Sequence, residues 1–115
     1  MADLFTVARV QDGIAKSLRR IDELVDQIAE AGDLAAETEV AYKTEFAKAR
    51  LTYRALHDKA TVGAVEDYAT DACADLLLAY KIADNRLTTS RESLRAAQSR
   101  LDGLRSLLSS IKAAT

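Results

Sequence analysis

The chain of 115 residues has no proline and no tryptophan, four glycines, one cysteine and one histidine, and only 5% of its residues are aromatic. Each shortage excludes something. Without proline, and with so little glycine, the chain lacks the punctuation that a protein of many short strands and tight turns requires. One cysteine cannot staple the chain to itself, so Cys73, set among helix-forming residues, reads as a small buried hydrophobe in a reducing setting. His57 alone offers no second histidine for a metal, and no acid and nucleophile stand at triad-like spacing. Acid pairs such as Asp71 and Asp75 lack the Glu-x-x-His motifs of a di-metal bundle, and there is no glycine-rich phosphate loop. No cofactor or metal is expected, and an enzyme is not expected. The longest apolar run, LLLAY at 76–80, is far short of the roughly 20 residues of a membrane span. The segment MADLFTVARVQDGIAK carries Asp3 and no basic stretch before an apolar core, so it does not read as a secretory signal.

What is present is alanine, leucine, arginine, aspartate and glutamate, the composition of long helices. The fold class is all-α, and the length suits one domain over 1–115. Apolar residues recur every seventh position in Val7, Ile14, Ile21, Ile28, Ala35, Tyr42, Ala49 and Leu56. A column four residues later holds Leu18, Val25, Phe46, Tyr53 and Ala60, with Val10 and Leu24 on the other flank. Gly32-Asp33 resembles a helix stop, but the repeat keeps its phase across it. One helix over about 3–59 with a weak point or break at Gly32 is therefore expected. HDKATVGAV marks a turn near 59–63, with Thr61 placed to cap the next helix. Cys73, Tyr80, Leu87, Leu94, Leu101 and Leu108, accompanied by Val62, Ala69, Leu76, Ala83, Ser90, Ala97, Leu104 and Ile111, predict that second helix over about 62–112.

Two helices of similar length joined by one turn predict an antiparallel hairpin in which facing residue numbers sum to about 121. Net charge is −2, but its blocks alternate: −5 over 1–40, +3 over 41–60, −4 over 61–80 and +4 over 81–115. Folding back sets unlike blocks side by side. Lys48, Arg50 and Arg54 come near Glu66, Asp67, Asp71 and Asp75, and Asp22, Glu23, Asp26 and Glu30 come near Arg91, Arg95 and Arg100. Such exposed pairs favour one register rather than supply stability. The expected seam comprises Ile14, Leu18, Ile21, Val25, Ile28, Tyr42, Phe46 and Tyr53 on the first helix. Leu76, Leu87, Leu94, Leu101, Leu104 and Leu108 supply it on the second. A lone hairpin covers each stripe on one side only, leaving Leu18, Val25, Leu77 and Leu107 partly exposed. Self-association, most simply into a four-helix bundle, is the resulting expectation.

EVAYKTEFAKARLTYRAL at 39–56 interleaves aromatic and basic residues, as a surface that stacks bases and grips phosphates would. Helical phase separates the two sets, with Tyr42, Phe46 and Tyr53 on the seam and the cations beside it. Lys43, Arg54, Arg91, Arg95 and Arg105 stand as the candidate nucleic-acid contacts, against the plainer reading of solvated, salt-bridged faces.

Tyr42-Lys43, Ala47-Lys48-Ala49-Arg50, Thr61-Val62 and Arg105-Ser106-Leu107-Leu108 form a pattern over about 37–110. It resembles small all-helical proteins of bacteriophages of actinobacteria and other Gram-positive hosts. That resemblance implies a cytoplasmic location in the infected host and brings no catalytic residues. The chain is also similar in length and architecture to the exported Trp-x-Gly helical hairpins, with Thr61-Val62-Gly63 at its turn in place of the tryptophan motif. The leading expectation is a non-enzymatic hairpin that binds itself and a phage or host protein. The alternative is an accessory nucleic-acid binder in phage replication or recombination.

Overall fold

A computed structural model describes residues 6–114. The described residues form three helices in an all-α hairpin: α1 (Val7–Leu56), α2 (Val62–Ala72) and α3 (Ala74–Ala114). The expected helix start at residue 3 lies outside the described residues. Thr6 opens α1 by accepting the Arg9 N–H at 3.2 Å, and Thr61 opens α2 by accepting the Ala64 N–H at 3.1 Å. Both hydroxyls satisfy a donor that the first helical turn leaves without a partner. α1 runs through Gly32 without interruption.

The single second helix expected from the sequence is two helices that meet at Cys73. The residue has φ −109° and ψ 15°, off the helical values, yet its N–H still donates to Ala69 O at 3.0 Å and its carbonyl accepts from Leu77 N at 2.9 Å. This is a local bend rather than a turn. Its place reflects the apolar pattern. Val65, Ala69 and Cys73 are buried in steps of four, whereas from Cys73 onward the steps alternate three and four through Leu76, Tyr80, Ala83 and Leu87. The bend sits where the period changes.

Contacts divide the chain into two compact units, Glu30–Leu87 on the one hand and Met1–Ala29 with Thr88–Thr115 on the other. In the second of these, α1 and α3 pack antiparallel over a seam centred on Val10, Ser17, Leu24 and Leu101, all buried. Ile14, Ile21, Ile28, Leu94, Leu104 and Leu108 line it half-buried. Gly13 marks a close approach, because a Cβ there would lie 3.2 Å from Leu104 Cδ1.

In the unit Glu30–Leu87, α1 packs on α2 and α3 over buried Ala35, Val65, Ala69, Cys73, Ala83 and Leu87. Tyr42, Phe46, Tyr53, Leu76 and Tyr80 line this seam half-buried. Tyr53 stacks on Tyr68 and Tyr42 on Tyr80, pairs at or within one residue of the expected sum.

The stripe on α1 therefore changes column. Near the start the buried flank lies three residues after the Val7 column, at Val10, Ser17 and Leu24, while Leu18 and Val25 remain 43% and 51% exposed. Further on, Phe46 and Tyr53 lie four residues after Tyr42 and Ala49 and are half-buried. A straight helix drifts about 20° per heptad against a seven-residue repeat, and six heptads accumulate roughly 120°. That is about the angle between neighbouring residues, and the seam moves over by one position.

Candidate interaction surfaces

The segment 39–56 builds a ladder of rings and charges inside the unit Glu30–Leu87. Tyr42 lies 6.2 Å from Tyr80, nearly parallel at 17°, and 5.7 Å from Phe46. Arg50 sits 5.1 Å over the Phe46 ring and donates to Glu66 at 3.3 Å. Tyr53 stacks on Tyr68 at 4.9 Å and meets His57 at 4.3 Å. The separation of aromatic from basic residues expected from helical phase thus has one departure, since Arg50 is half-buried among the rings. Its guanidinium is weakly hydrated and planar, which suits it to a ring face and a carboxylate together. Because these rings stack on one another, they are not arranged as an open platform for bases.

One step along the ladder, Lys43 Nζ lies 2.8 Å from Glu39 Oε1. The hydrogen bond from Lys43, then the one from the Tyr80 hydroxyl, holds the Glu39 carboxyl below the usual carboxylate range. The same Glu39 contacts raise Lys43 and Tyr80 above their ordinary values. Lys43 is thereby paired locally along α1, while its side chain stays exposed. Of the other candidate nucleic-acid contacts, Arg54, Arg91, Arg95 and Arg105 are all exposed, and none of these four forms an ion pair among the described residues. Arg54 belongs to one unit and Arg91, Arg95 and Arg105 to the other.

The expected pairing of charge blocks across helices is realised at Arg50–Glu66. Lys48 turns instead to Glu45 at 3.3 Å, Lys16 to Asp12 at 2.9 Å and Arg20 to Glu23 at 3.4 Å, all local pairs along α1. A partner three or four residues away on the same helix is reached with less side-chain ordering than one across the seam.

The sequence did not single out a groove between α1 and α3 in the unit formed by 1–29 and 88–115. It encloses about 470 Å³. Exposed Lys16, Arg20, Ala96 and Arg100 line it together with half-buried Ser93 and Ala97 and buried Ser17. Short side chains at facing positions of two helices open this space, and the cations stand beside it because they occupy the flanks of the same seam. The signal in the sequence was the coincidence of Ser17 with Arg20 three positions on, and of Ala96 and Ala97 with Arg100 four and three positions on.

Large hydrophobic side chains also reach the surface. On the unit Glu30–Leu87, Val40 and Leu51 of α1 are 65% and 66% exposed, and Leu78 and Ile82 of α3 are 59% and 44% exposed. Val40 and Leu51, eleven residues apart, share one face of α1, and Leu78 and Ile82, four apart, share one face of α3. Leu77 and Leu107, expected to be partly exposed, are half-buried. Among the described residues no group of three or more His, Cys, Asp and Glu is placed to hold a metal ion, and no helix is long and apolar enough to cross a membrane.

Fold and surface together define an all-α helical hairpin that carries apolar side chains on its outer faces and a basic groove. No protein-family model, no curated protein and no solved structure matches the chain.

Proposed function

We propose that this hairpin is a non-enzymatic interaction protein of phage type that self-associates, most simply into a four-helix bundle, and binds a phage or host protein in the cytoplasm of the infected cell. The phage assignment rests on the sequence resemblance over about 37–110. Self-association rests on one observation, the exposure of Val40, Leu51, Leu78 and Ile82 on faces turned away from the seam. Single exposed hydrophobics are ordinary. Paired ones at helical spacing, on both long helices of one unit, are what an intermolecular seam requires. Replacing these four residues by glutamine, which keeps helix propensity, is expected to lower the mass measured by light scattering to that of one chain. An unchanged mass in the variant would remove these faces from the interface.

A second reading has its own observation, the surface cations Arg91, Arg95 and Arg105, which lack ion-pair partners among the described residues. They suit an accessory role on nucleic acid in replication or recombination. Such binding weakens steeply with salt because it releases condensed counterions. A mobility shift at low salt that fades as salt rises supports this reading, and no shift with single- or double-stranded DNA at low salt removes it.

A further inference from the structure

We propose that the groove between α1 and α3 lined by Lys16, Arg20 and Arg100 is a binding site for a phosphate group. Three basic residues, Lys16, Arg20 and Arg100, are among the seven that line one open groove of about 470 Å³, and none of its lining residues is a carboxylate. Gathering like charges around a groove is unfavourable unless something negative enters it. These cations are only partly neutralised from outside. Lys16 is paired with Asp12 and Arg20 with Glu23, neither of which lines the groove, and the Arg20 contact is a single long one at 3.4 Å. Arg100 has no ion-pair partner among the described residues. These exposed local pairs are weak in water and exchange readily for a better anion.

The short residues of the lining bear on the class of anion. Ser17, Ser93, Ala96 and Ala97 leave room for a compact group, and the two serines add hydroxyl donors to the lining. Arg20 belongs to α1 and Arg100 to α3, so each helix contributes an arginine to the groove lining. Paired guanidinium groups with a nearby lysine suit a tetrahedral oxyanion with several acceptor oxygens better than a single carboxylate. The volume lies within the range of small-ligand sites. The phosphate has two sources, a free phosphorylated small molecule or the phosphodiester backbone of a nucleic acid.

Amide NMR spectra of the full chain, titrated with inorganic phosphate and separately with a short single-stranded oligonucleotide at matched ionic strength, test the site. The expected result is saturable shifts centred on Ser17, Ser93, Ala96 and Ala97 with at least one of the two. Arg100→Gln is expected to weaken the binding by roughly tenfold or more, the scale of a lost charged hydrogen bond. Arg86→Gln, on an exposed arginine outside the groove, serves as the control and is expected to leave it intact. Saturation with inorganic phosphate alone identifies a small ligand, and tighter saturation with the oligonucleotide identifies a backbone phosphate. Shifts that do not saturate with either, that persist in Arg100→Gln, or that fall equally in Arg86→Gln overturn the proposal.

Discussion

At the scale of single residues, the hydrogen-bonded set Glu39, Lys43 and Tyr80 contributes to how stability depends on pH. Glu39 binds its proton less tightly in the fold than in the unfolded chain, because Lys43 and then Tyr80 favour the carboxylate. Its contribution is present at neutral pH and is lost as pH falls through and below the ordinary carboxylate range. Tyr80 and Lys43 hold their protons more tightly in the fold. Their contribution is present at neutral pH and fades as pH rises past about 10, the ordinary tyrosine value. Glu39→Gln is therefore expected to melt at a lower temperature than the parent at pH 7, with the difference closing as the melts are repeated toward pH 3. A difference that stays constant across that range contradicts the assignment.

The glycines offer a second prediction at this scale. A Cβ at Gly103 would meet nothing within 4 Å, and one at Gly32 would touch Leu87 Cδ1 at 4.0 Å, an ordinary contact. Both sit inside helices, so Gly32→Ala and Gly103→Ala are each expected to raise unfolding free energy in urea by about 0.5–1 kcal/mol. Gly13 differs, since its substituent must displace Leu104.

At the scale of elements, the change of column along α1 separates residues that look alike in sequence. Leu24 is 1% exposed and Leu18 is 43% exposed, although both flank the same heptad column. Leu24→Ala is expected to cost about 2–5 kcal/mol in urea unfolding, the range for a buried leucine that leaves a cavity. Leu18→Ala, measured on the dissociated chain, is expected to cost under about 1 kcal/mol. Equal losses would place both on the seam. What the sequence showed at this scale was the repeat itself. Every member of the second column from Cys73 to Ile111 is buried or half-buried, because a strict three-four alternation fixes one face. What it concealed was the choice of flank on α1, since Val10, Leu24, Leu18 and Val25 are apolar alike and only helical drift decides among them. The bend at Cys73 was legible only as a change of step from four to alternating three and four, a signal that a single heptad count passes over.

At the scale of the whole molecule, the all-α hairpin was written in the absence of proline, in two long apolar columns and in the turn at Thr61. The basic groove was not. It is a space left by small side chains, and periodicity records which residues are apolar rather than how much volume facing positions leave empty. The charge blocks gave a coarse version of the electrostatics, whereas Lys16, Arg20, Lys43 and Lys48 pair locally along α1 rather than across the seam. The outer apolar faces at Val40, Leu51, Leu78 and Ile82 then remain as the feature that a single hairpin does not explain. A second copy of the chain would cover them, and this is the proposal on which the functional reading depends. Light scattering of the purified chain over roughly 1–100 µM is the decisive experiment, because self-association depends on concentration. The expected mass rises with concentration to at least twice the 12.5 kDa of one chain. A mass that stays at one chain throughout that range would show that no second copy covers these faces.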